Sequence, residues 1–158
     1  MREAPLIASK AATNHEAKSA RRQQFERFAV LYARVALGAA FLSGIASRFG
    51  LYGKNVGYGK FANFVQYTAE VNSFMPAYTI PFLAWTATVA ELFLGVMLIL
   101  GIWPRRVALG SALLLLLFGT AMAISMGIKS PLDYSVFSAS AGSVLLALIQ
   151  PRNSGAHS

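Results

Sequence analysis

Cysteine is absent from this 158-residue chain, and histidine occurs only at His15 and His157. Without cysteine there are no disulfides, thiolate metal sites, iron–sulfur clusters or thiol relays. With both histidines near the ends, the apolar interior offers no imidazole to ligate haem or a metal. No metal or haem centre is therefore expected from this chain alone, and a redox role would use a diffusible organic carrier or a partner subunit. Charge is scarce too. Charged residues make up 13% of the chain, with six acids in all, against 56% hydrophobic residues and a mean hydropathy of +0.52. A water-soluble domain of this length needs more polar surface than that, so the lipid bilayer is expected to be the solvent.

Crossing a hydrocarbon core of about 30 Å takes about 20 apolar residues as helix. Four segments approach or reach that length: 28–47, 80–102, 107–128 and 134–149. The third contains no charge and is the most apolar, around Leu113 to Leu117; the fourth is short and carries Ser135, Ser138, Ser140 and Ser143. The expected architecture is all-α, an integral membrane antiparallel four-helix bundle spanning residues 25–150. Residues 1–24 read as a disordered basic cytoplasmic tail and 151–158 as a second cytoplasmic tail. The long polar leader favours an uncleaved first span over a signal peptide.

The net charge of +8 is explained by position rather than by nucleic acid. Arg2, Lys10, Lys18, Arg21, Arg22 and Arg27 precede the first span, Arg105 and Arg106 separate the second from the third, and Arg152 follows the fourth. The positive-inside rule then places both termini in the cytoplasm. On the opposite side lies a long connection, 48–79. Gly50, Gly53, Gly57 and Gly59 suggest a flexible first half, while Phe61, Phe64, Val65 and Thr68 recur at helical spacing and predict a short amphipathic helix in this first outer loop. Asp133 is placed to cap the fourth helix. Ala40 with Gly44, and Ser138 with Gly142, have the small-xxx-small spacing that packs helices in lipid or joins copies in a homo-oligomer.

Two opposite charges interrupt the apolar spans. Arg34 lies roughly 9 Å inside the first span and Glu91 roughly 15 Å from the same side of the second, at about 1.5 Å per residue. A difference of roughly 6 Å is within reach of an arginine side chain, so an Arg34–Glu91 pair is expected. Thr88 shares the Glu91 face; Arg48 shares the Arg34 face near the outer boundary, where it snorkels to headgroups or crowns the same cleft. Intramembrane charge is costly and usually has a task. One reading makes the pair a structural latch with no ligand. The other makes Arg34, Glu91, Thr88 and Arg48 the polar lining of a cleft for a quinone or similar lipid-soluble molecule, with Phe41, Trp85, Phe93 and Tyr67 as ring-packing neighbours.

At these residues the chain resembles the DoxX family. Arg34, Leu37, Gly38, Phe41, Leu42, Ser43 and Gly44 are similar to that family's opening pattern, and Glu91, Gly95, Leu98, Leu100, Gly101 and Arg106 to its second-span pattern before a basic turn. The resemblance covers about Phe28 to Ile149. It implies a bacterial four-helix membrane protein and, from the family's founding association, a small non-catalytic subunit or accessory of a quinone-linked oxidoreductase or stress-related system, with a membrane redox partner. Arg48 stands where the family more often has Lys, and the missing cysteines separate the chain from relatives that pass electrons through thiols. The alternative is a structural or assembly membrane protein that binds other membrane subunits without a ligand and holds a purely structural Arg34/Glu91 ion pair.

Overall fold

A computed structural model describes residues 4–149, with side-chain surroundings for residue 16 and residues 18–149. The tail at 151–158 lies outside the described residues. The chain divides into two compact units, Met1–Tyr32 and Ala33–Ser158. Helices are α1 (Ala4–Arg48), α2 (Phe61–Val71), α3 (Ile80–Leu100), α4 (Pro104–Met126), α5 (Lys129–Asp133) and α6 (Val136–Ile149), with a 3-10 turn at Ala77–Thr79 before α3. Among the described residues there is no strand.

The first unit is helical from Ala4, not the disordered tail expected of residues 1–24. Ala8, Ala11, Ala12, Ala17 and Ala20 are strong helix formers, and no Gly or Pro intervenes between Pro5 and Gly38. A helix that continues into an apolar span needs no separate nucleus, so such a sequence propagates it. Arg22 donates to Glu26 Oε1 at 2.9 Å one turn on, a pair that supports an exposed helix.

Among the described residues, three helical stretches are long and apolar enough to cross a membrane: Lys18–Arg48, Ala77–Leu100 and Pro104–Met126. The fourth helix differs from its expected span. Ser135 takes a positive φ of 55°, so 134–149 is broken at its start and α6 retains 14 residues, about 21 Å at 1.5 Å per residue. Asp133 does not cap it; that carboxylate pairs with Lys129 one turn back. The apolar faces of the spans are left bare. Leu113 is 58% and Leu117 57% exposed, an arrangement suited to hydrocarbon rather than water.

Small residues set the helix contacts, though not the pairs expected. On the α4–α6 seam, Ser111 and Ala112 are buried with Ser140, Ser143 and Ala147, and Ser140 Oγ donates to the Ala112 carbonyl at 2.8 Å. Ser138 is exposed and a Cβ on Gly142 would meet nothing within 4 Å. Serines 138 and 140 lie about 200° apart around the helix at 100° per residue, so only one of them can face α4. Similarly, Ala40 is exposed and Gly38 makes the close approach from α1. A Cβ there would sit 2.9 Å from the Gly95 carbonyl oxygen of α3.

The connection between α1 and α2 folds tightly. Gly50, Gly53, Gly57 and Gly59 all have positive φ, and a Cβ on Gly50 or Gly57 would collide with the Gly59 carbonyl or the Ser47 hydroxyl. Glycine is needed there for close approach, not for mobility. Ser47 Oγ also accepts from the Tyr58 amide at 3.0 Å, returning the loop to the end of α1. The amphipathic α2 then lies across α3 and α4 with Phe64, Thr68 and Val71 buried.

Candidate functional site

Gly38 and Gly95 fix the register of the antiparallel crossing between the second half of α1 and α3. Leu42, one turn beyond Gly38, reaches Gly95, where a Cβ would lie 3.2 Å from its Cδ2. Arg34, one turn before Gly38, lies beside the end of α3. Its Nε donates to the Leu98 carbonyl at 2.9 Å and its Nη2 to the Ile99 carbonyl at 3.3 Å.

Those carbonyls belong to the last turn of α3, which has no helical donors for them. The amides of Gly101 and Ile102 both turn back to the Met97 carbonyl, at 2.9 and 3.2 Å, leaving the next two oxygens for the guanidinium. A cation at a helix C-terminus is also favoured by the helix dipole. Gly101 makes the arrangement possible twice over: its φ is 74°, and a Cβ would collide with the Arg34 guanidinium. Arg34 is therefore a cap for α3.

Glu91 has a different partner from the one expected. Arg48 Nη2 donates to both carboxylate oxygens, at 2.7 and 2.8 Å, and Arg48 Nη1 donates to Thr88 Oγ1 at 3.0 Å. Thr88 passes its own proton to the Ala84 carbonyl at 2.8 Å. The expected Arg34–Glu91 pair is thus replaced by Arg48–Glu91. The reason is the direction of side chains on a helix, which lean toward its N-terminus. Arg34 leans away from the bilayer centre toward the end of α3. Arg48, rooted in the last turn of α1, leans back into the bilayer and meets Glu91 midway along α3.

The surroundings are built for this pair. Both side chains are 5% exposed. The Phe64 ring of α2 lies 3.7 Å from the guanidinium carbon, a cation–π contact that helps replace lost water. Gly44 faces the carboxylate, where a Cβ would lie 3.4 Å from Oε2. Arg48 Nε is buried and is the orphan among the described buried side-chain donors and acceptors.

Beside the pair is a cavity of about 920 Å³ between α2, α3 and α4. Its α4 wall is apolar but for Thr120, with Leu114, Leu117, Phe118 and Ile124; Arg48, Glu91, Tyr58, Tyr67 and Thr68 also line the cavity. Tyr58 was not anticipated as a site residue: only the tight glycine loop brings it to Phe64 and Tyr67, with ring centroids 5.1 and 5.5 Å away. Its phenol is pushed up to about 12, chiefly by burial and then by the neighbouring Tyr67. Of the aromatic neighbours expected, Tyr67 lines the cavity and Phe41 is buried, whereas Phe93 is exposed. Trp85 lies outside the cavity lining, packed 4.4 Å from the Phe61 ring.

These features define the class: an all-α, multi-span membrane protein with an ion pair buried between helices and a lateral cavity beside it. The DoxX family model matches residues 29–126, well over half of the chain, and the chain belongs to the DoxX family. No curated protein and no solved structure matches it.

Proposed function

We propose that this protein resides in the bacterial inner membrane, with both termini cytoplasmic, and binds a quinone in the cavity beside Arg48 and Glu91, as a non-catalytic subunit or accessory of a quinone-linked redox system. The observation that carries the reading is the cavity. Its 920 Å³ falls within the range of about 300–1,000 Å³ typical of small-molecule sites, and its composition suits a ring with polar edges and an apolar tail. Residues from Leu83 to Glu91 on α3 and from Leu114 to Ile124 on α4 line it, so it runs from the outer end of these helices to about mid-bilayer. The basic residues in the N-terminal half of α1, Lys18 to Arg27, and in the first turn of α4, Arg105 and Arg106, support the orientation.

A purely structural role for the ion pair has its own support, because both Glu91 oxygens are already occupied by Arg48. The two readings separate when the cavity is filled without touching the pair. Ala90 and Ala121 line the cavity, and Ala90→Leu or Ala121→Leu should abolish co-purification of quinone, quantified by mass spectrometry from mild detergent, while melting temperature stays near wild type. Wild-type protein that carries no quinone and binds none when it is added would overturn the proposal and leave the latch.

A further inference from the structure

Three phenols line the cavity from three different elements: Tyr58 from the glycine loop, Tyr67 from α2 and Tyr134 from the turn between α5 and α6. The main chain of Tyr58 is tethered on both sides, its amide to Ser47 and its carbonyl to Asn63. None of the three hydroxyls has a hydrogen-bond partner among the described residues. Tyr52 differs: its hydroxyl donates to Ser43 Oγ at 3.1 Å, and it lies outside the cavity lining. The Tyr58 and Tyr67 rings stand 5.5 Å apart, and Tyr134 lines the same cavity. Burial raises both Tyr58 and Tyr67, so these hydroxyls keep their protons, and remain donors, throughout the physiological range.

Their position gives the cavity a direction. Tyr134 is 69% exposed and stands beyond the outer end of α4, whereas Leu114 lies about 18 Å deeper along that helix at 1.5 Å per residue. A ligand with one polar end and an apolar remainder can satisfy both regions in one orientation. Tyrosine suits such a boundary because its ring is apolar and its tip wet.

We infer that Tyr58, Tyr67 and Tyr134 form a headgroup subsite that recognises a ring bearing hydrogen-bond acceptors, such as the carbonyls of a para-quinone, held at the outer half of the bilayer with its tail along α4. This deepens the proposed function and rests on it. The subsite selects by the acceptor oxygens of the head and is indifferent to the chemistry of the tail.

Because these hydroxyls bond to nothing else described in the protein, Tyr→Phe at each position removes the donor while keeping the ring and every internal hydrogen bond. The probe is a decyl-tailed para-benzoquinone, titrated into nanodisc-embedded protein by quenching of intrinsic fluorescence, with decanol as a tail-only competitor. Each of Tyr58→Phe, Tyr67→Phe and Tyr134→Phe is expected to weaken quinone binding about 3- to 10-fold, the loss of one neutral hydrogen bond. The triple variant should lose more than about 30-fold, with unchanged melting temperature and unchanged decanol competition, and Tyr52→Phe should bind as wild type. A triple variant that binds quinone as tightly as wild type overturns the phenol subsite while leaving quinone binding intact. Wild-type protein that binds decanol, measured by competition, as tightly as the quinone also overturns it, because the head is then not read. Wild-type protein that shows no saturable quinone binding overturns both this inference and the function beneath it.

Discussion

Replacing Glu91 by Gln leaves the Arg48 guanidinium, 5% exposed, without a counter-charge at mid-bilayer. Removing one partner of a buried pair costs about 3–5 kcal/mol in proteins generally, and Gln keeps one acceptor, so the expected loss is near the lower end. The informative quantity is the coupling. Glu91 accepts two hydrogen bonds from Arg48 and none from Arg34, whose described bonds go to α3 carbonyls. A double-mutant cycle of Arg48→Gln with Glu91→Gln should therefore give an interaction energy of about 1–3 kcal/mol, whereas Arg34→Gln with Glu91→Gln should be additive within about 0.5 kcal/mol. Both cycles are accessible from reversible unfolding in bicelles, followed by the helical circular dichroism signal. Additivity in the first cycle, or strong coupling in the second, would refute the assignment of partners.

Gly101→Ala should destabilise by more than the roughly 1 kcal/mol ordinarily lost at a left-handed cap, because the new methyl also displaces Arg34 from Leu98; adding Arg34→Ala should recover part of that loss in the same unfolding assay. Ser140→Ala removes the hydrogen bond from α6 to the Ala112 carbonyl and should cost about 0.6 kcal/mol, the average for interhelical bonds in lipid. Tyr58 has a pKa of about 12 when folded against 10.0 unperturbed. The folded state therefore holds the proton more tightly, and the associated stability, complete below pH 10, should decline as pH rises toward 12; Tyr58→Phe should flatten that decline in an unfolding series. Since the chain has no cysteine, single-cysteine variants report topology cleanly: Lys129→Cys should react with an impermeant maleimide on intact cells, and Arg105→Cys only after permeabilisation.

Apolar run lengths were enough to read the first three spans, and the helical spacing of Phe61, Phe64, Val65 and Thr68 was enough to read α2. Depth along a helix also identified Glu91 and Thr88 as interior polar groups, but put Arg48 near the boundary, where the structure buries it against Glu91. Depth is a one-dimensional quantity, however, and the choice between Arg34 and Arg48 depends on a second one, the lean of each side chain toward its own helix N-terminus. That rule was legible in principle; the register of α1 against α3, which depends on Gly38 meeting Gly95, was not. The cavity was less legible still. Tyr58 reaches it only because positive-φ glycines fold the loop after α1 onto Ser47, and a glycine-rich stretch reads from sequence as slack chain. The Ser138/Gly142 pattern misled for a related reason, since small-residue spacing identifies a stripe without saying which of two nearly opposite stripes meets a neighbour.

The central claim is that Glu91 and Arg48 meet within the bilayer. Solid-state NMR dipolar recoupling between a ¹⁵N-labelled guanidinium and the ¹³C-labelled Glu91 carboxyl, in lipid bilayers, measures that contact directly. Strong dephasing that disappears in Arg48→Gln and persists in Arg34→Gln is the predicted result, matching the 2.7 Å nitrogen–oxygen separation. Dephasing that instead disappears in Arg34→Gln, or is absent from the wild-type protein, would contradict it.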